Sequence, residues 1–159
     1  MAAKTLGELL EDKARRERVV DDCVQLIDDE VGRKSGFSGL AIKGAYGVVK
    51  AIKKGIIKES VSTLLNGFIS KLEPYYVRYL QEGGGQPFSA LLNKEPANVA
   101  DALLSFTDEK AQRAQNQTMK KAYDKLRPSA KDHVQAAVPG LGKVSARHRN
   151  EAQSHQAQA

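Results

Sequence analysis

The chain has 159 residues, 41% hydrophobic and 28% charged, proportions of a folded domain rather than of a disordered segment. No uncharged run exceeds 11 residues (Ser60–Ser70 and Gly83–Asn93), and a membrane-spanning helix needs roughly 18 or more, so no transmembrane segment is expected. The net charge is +6, and the lone cysteine, Cys23, excludes an internal disulfide and fits a reducing cytoplasm.

With no Trp, five Tyr and four Phe, the core must come from Leu, Ile, Val and Ala, which favours packed helices over a β-sandwich. The reading is therefore all-α: a compact multi-helix bundle of about six to eight helices with no sheet. It forms one domain over residues 1–149, and 150–159 read as a disordered tail lacking apolar periodicity. Met1 to Glu8 contains no apolar run, so no signal peptide is expected and the location reads as cytoplasmic.

A helical turn over Leu6–Leu10 opens the chain, and Asp12 is placed to cap a helix running to about Val31. At about 100° per residue, Val19, Val20, Cys23, Ile27 and Val31 share one side. Asp21, Asp22, Gln25, Asp28 and Asp29 share the other. Gly32 reads as the C-cap, with Arg33 and Lys34 suiting the negative helix end.

The segment Ser35–Glu59, SGFSGLAIKGAYGVVKAIKKGIIKE, projects as one basic helix. Phe37, Ala41, Ala45, Val48, Ile52 and Ile56 form its apolar stripe, with Ile42 and Val49 beside it. Lys43, Lys50, Lys54 and Lys58 line the opposite face, shared with Gly36, Gly39 and Gly47. Each glycine costs a helix roughly 1 kcal/mol against alanine. Five in this segment imply either a close backbone neighbour or a looser first part. The charge is concentrated here: Met1–Lys34 carries 7 basic and 9 acidic residues, Gly36–Lys58 five lysines and no acid.

Ser60 can cap the next helix, whose apolar face is Val61, Leu64, Leu65, Phe68, Ile69 and Leu72. Pro74 most simply starts a new helix carrying Tyr75, Tyr76 and Tyr79. Gly83–Gly85 read as a loop and the best internal boundary, and Pro87 and Pro96 each precede a short helix. Thr107 with Asp108 and Glu109 reads as a further start, with Ala111, Ala114, Thr118 and Ala122 on the inner face. Pro128 opens the following helix, and Pro139, Gly140 and Gly142 break it before a last short turn.

Leu6 to Lys54 contains LGELL, VVDDCVQLIDDEV, KSGFSG and a Tyr-containing basic helix, continued by DALLSFTDEKAQR and MKKAYDKLRPSAKDHVQAAVPGLG. This combination resembles a family of small bacterial all-helical proteins of uncharacterised function, over Leu6 to about Arg149. The resemblance implies a bacterial cytoplasmic protein with an all-α fold and supplies no functional residues.

Catalytic signals are lacking. One Cys and three separated His (His133, His148, His155) do not make a zinc site, and Cys23 on an apolar face reads as core. Acids seven apart on one helix lie about 10 Å from each other, too far to share a metal. SGFSG and GGGQP follow no strand, and no phosphate loop, dinucleotide fingerprint or nucleophile elbow occurs. No metal, cofactor or catalytic residue is therefore assigned. The lysine face with its three glycines is the one feature above background, and it reads as a non-catalytic site for an acidic protein. One such partner is a second copy presenting the Asp21/Asp22/Asp28/Asp29 face. Anionic membrane surface is the alternative, and it requires the apolar stripe to leave the core. Nucleic acid ranks lower for want of arginine and stacking aromatics, and an enzyme with a dispersed site lower still.

Overall fold

The structure, a computed structural model, describes residues 5–82 and 87–158, and among them the chain forms seven helices and no strand. Local capping starts the first two. The Thr5 hydroxyl accepts from the Glu8 N–H and the Glu8 carboxylate from the Thr5 N–H, opening α1 (Leu6–Leu9). Asp12 accepts from the N–H groups of Ala14 and Arg15 and starts α2 (Lys13–Arg33). Then follow α3 (Gly36–Lys50), α4 (Ile56–Gln81), α5 (Phe88–Lys94), α6 (Pro96–Gln112) and α7 (Gln117–Gln158). Gly83–Gly85, read above as a boundary, lie outside the described residues.

The apolar stripes meet in two buried clusters rather than one. The larger joins Leu72, Tyr76, Phe88, Leu92, Val99 and Val138 from α4 to α7. The smaller joins Leu10, Val19 and Val20 to Val61 and Leu65 of α4. α7 packs against α1, α2, α3, α5 and α6. It is clamped to α2 by polar groups as well. Buried Arg15 donates to the His148 carbonyl at 2.7 Å, and the buried His148 ring meets Asp22 at 2.6 Å.

Several boundaries differ from the sequence reading. The helix expected over 35–59 is interrupted at 51–55, where Gly55 takes φ +78° and α4 begins. α4 passes through Pro74, held by buried Leu72 and Tyr76 on either side, so tertiary packing outweighs the lost N–H. Thr107 does not start a helix. Its hydroxyl donates back to the Leu104 carbonyl, and Asp108 accepts from Tyr123 and Arg127 of α7.

α7 likewise runs through Pro128 and Pro139. Gly140 and Gly142 thin it where neighbours cross. A Cβ at Gly140 would lie 2.3 Å from Leu26 Cδ1, and one at Gly142 2.6 Å from Ser89 Cβ. Residues 150–158, expected to be a disordered tail, continue α7. Ala152 is buried there, and Glu151 meets Arg18 at 3.6 Å.

Candidate functional site: the outward face of the third helix

α3 begins at Gly36 with φ +72°, the left-handed region that favours glycine. Gly39 is the close approach. A Cβ there would stand 2.7 Å from the Lys34 backbone carbon, so the α2–α3 corner needs its bare backbone. Ile42 and Ala45 are buried, Tyr46 and Val49 half-buried, and this side packs against α2, α4 and α7. The Tyr46 hydroxyl donates to Asp28 of α2. Burial and that neighbouring carboxylate hold the phenol well above its ordinary range.

The other side faces solvent and is partly apolar. Phe37 is 94% exposed, Leu40 68% and Val48 51%. Two members of the expected core stripe, Phe37 and Val48, therefore point outward. The break at 51–55 releases α3 from the register of Ile56, so the helix rolls inward on Ile42 and Ala45 instead. Gly44 and Gly47 lie on the same exposed arc, and a Cβ at either would meet nothing within 4 Å.

The four lysines part company. Lys43 and Lys50 edge the exposed arc of α3, Lys50 with its ammonium 5.1 Å from the Tyr46 ring centre. Lys54 is exposed in the following turn. Among the described residues neither Lys43 nor Lys54 has an ion-pair partner. Lys58 belongs to α4 and pairs with Asp21 at 2.9 Å and Glu17 at 3.6 Å. The Asp21 carboxylate holds its ammonium above the usual lysine range. Of the glycines grouped with them, Gly36 and Gly39 serve the corner and Gly47 alone lies in the open face. The acidic face expected to receive a second copy is engaged within the chain. Asp21 pairs with Lys58, Asp22 with Arg147 and His148, Asp28 with Tyr46, and Asp29 with Gln25.

A second feature is a half-open cavity of about 380 Å³ between α2, α3, α4, α6 and α7, walled by apolar side chains such as Leu26, Phe68, Leu104 and Leu141. Cys23 borders it, and burial pushes its thiol up to about 11. His133 lines it too, with Lys34 and Glu30. Burial and the neighbouring Lys34 charge lower the His133 pKa. Among the described residues no group of His, Cys, Asp and Glu could hold a metal ion, and no helix is long and apolar enough to cross a membrane.

Fold and surface together define an all-helical protein with a mixed basic and apolar face. The chain belongs to the family of unknown function DUF6918, whose sequence model matches residues 6–149. No curated protein and no solved structure matches it.

Proposed function

We propose that this protein binds anionic membrane surfaces reversibly through the outward face of α3. Phe37 and Leu40 enter the interface, and Lys43, Lys50 and Lys54 meet the headgroups. The observation that carries this is the near-complete exposure of Phe37, on one face with Leu40 and Val48 and with exposed Lys43, Lys50 and Lys54 at its edge and in the following turn. A purely electrostatic protein partner would use the lysines and leave these apolar side chains unexplained. A membrane interface uses both. Each lysine near an anionic surface contributes about 1 kcal/mol, and full burial of a Phe or Leu side chain about 1.5–3 kcal/mol. These magnitudes suit reversible, salt-sensitive attachment. The lone thiol accords with a cytoplasmic leaflet.

The test is co-sedimentation with phosphatidylcholine vesicles, with and without phosphatidylglycerol. Binding is expected only with phosphatidylglycerol. It should fall with salt, with Phe37→Ser plus Leu40→Ser, and with Lys43, Lys50 and Lys54 changed together to Gln. Binding that ignores both sets of substitutions, or none at all, refutes the proposal. Loss of a captured acidic protein by the same variants would then assign the face to a protein partner, for which the open Gly44 and Gly47 give room.

A further inference from the structure

Projected at about 100° per residue, α3 has a single broad apolar arc. From Leu40 through Phe37, Val48 and Ala45 to Val49 and Ile42, its apolar side chains follow one another around the axis. Lys43, Lys50 and Tyr46 take the remaining sector. The bundle covers only one end of that arc. Ile42 and Ala45 are buried, whereas Phe37 and Leu40 at the other end stand in water. A bilayer interface receives the whole apolar side of such a helix.

The attachment of α3 to the bundle is light. Among the described residues, Ile42 and Ala45 are its only fully buried apolar side chains. The Tyr46 hydroxyl on Asp28 is its one side-chain hydrogen bond to another element there. Ile42 borders the half-open cavity rather than a filled core, and Cys23 of α2 borders the same space. Both ends of α3 turn on glycine. Gly36 at φ +72° and Gly55 at φ +78° are the only positive-φ residues among those described. Hinges are built from a few residues at element ends that absorb large φ/ψ changes, and glycine does so without steric cost.

We infer that α3 leaves the bundle at an anionic membrane, pivoting at Gly36 and Gly55 so that its whole apolar arc enters the interface. This rests on the membrane reading of the α3 face and adds a conformational step to it. Tyr46, withdrawn from Asp28, then lies with Lys43 and Lys50 at headgroup level, where tyrosine is favoured. The departure of Ile42 opens the cavity on that side and uncovers Cys23.

The experiment uses vesicles of phosphatidylcholine with phosphatidylglycerol and two readouts that separate opening from binding. Cys23 is the lone cysteine, and burial suppresses its thiolate. In the unaltered chain these vesicles should speed its alkylation by iodoacetamide at least severalfold, toward the roughly hundredfold limit of an unburied thiol. Phosphatidylcholine alone should not, and the far-ultraviolet helical signal should persist in both. The chain also lacks tryptophan, so Phe37→Trp and Val49→Trp report separately on the exposed and the inward part of the arc. Acyl-brominated phosphatidylglycerol should quench both. Should Val49→Trp not fold, Cys23 in the unaltered chain decides the matter. Absence of vesicle binding refutes the membrane reading and this inference with it. Binding that quenches Phe37→Trp but not Val49→Trp, or that leaves Cys23 no faster than in the free protein, overturns the opening alone.

Discussion

Changing Gly44 and Gly47 together to alanine isolates what the outward face of α3 gives up in stability. A Cβ at either position meets nothing within 4 Å, so the added methyls bring no clash. What remains is the helix preference for alanine over glycine, roughly 1 kcal/mol per site, or about 2 kcal/mol for the pair. In a chain of 159 residues each kcal/mol moves the melting temperature by roughly 2–4 °C. Thermal unfolding followed by circular dichroism should therefore rise by about 4–8 °C. Gly67→Ala is the control of opposite sign. Its Cβ would stand 1.9 Å from Phe106 Cζ, and that ring packs edge-on to Phe68 at 5.4 Å. Overpacking of this kind costs about 1–3 kcal/mol, which offsets or exceeds the helix gain, so no rise should follow. An unchanged or lowered melting temperature for the Gly44/Gly47 pair would refute the reasoning, since something must then already occupy that face. The same double variant should keep its affinity for phosphatidylglycerol vesicles. A partner helix lying against bare backbone would be lost.

Other outcomes follow from the interior. The Arg127 guanidinium and the Tyr123 hydroxyl hold the Asp108 carboxyl below its ordinary value, so the native chain binds that proton less readily than the unfolded one. The stabilisation is present above about pH 4 and lost as pH falls through the lower native value. Urea unfolding should show Asp108→Asn destabilised at neutral pH, with the gap from the parent closing in acid. A Cys23 thiol pushed from 9.0 to about 11 should react with iodoacetamide at pH 8 roughly a hundredfold more slowly than in urea, because the thiolate is the nucleophile. A similar rate in both conditions would contradict the burial. Removing residues after Arg149 takes away buried Ala152 and the Glu151 partner of Arg18. A loss of about 1–2 kcal/mol in urea unfolding is expected, against none for a disordered tail. Arg15→Ala removes the buried bond to the His148 carbonyl and should cost about 2 kcal/mol in the same assay.

The parts of this architecture that could be read from sequence are those decided locally. Thr5 with Glu8, and Asp12 ahead of Ala14, mark helix starts because the capping atoms lie within three residues. Pro74, Pro128, Pro139 and Thr107 mislead because neighbours decide their meaning. The helices pass through the prolines, at Pro74 and Pro139 beside buried side chains, and the Thr107 hydroxyl bonds backward. The basic charge of the candidate face is visible in the run from Lys43 to Lys58. Its apolar half is not. α3 carries two apolar arcs, one through Ile42 and Ala45 and one through Phe37, Leu40 and Val48, and only the contacts with α2, α4 and α7 select between them. The cavity leaves no local trace, because it arises where side chains from five helices fail to meet.

The reach of α7 has a consequence for how the protein is made. This helix, of 42 residues and about 60 Å long at 1.5 Å per residue, is the shared partner of five of the other six. It also follows all six of them in the chain. At about 5–20 residues per second, α1 to α6 spend seconds in the cell with Val99, Leu92 and Phe88 lacking the surface of Val138 that completes their burial. Their burial is therefore complete only after α7 has been synthesised.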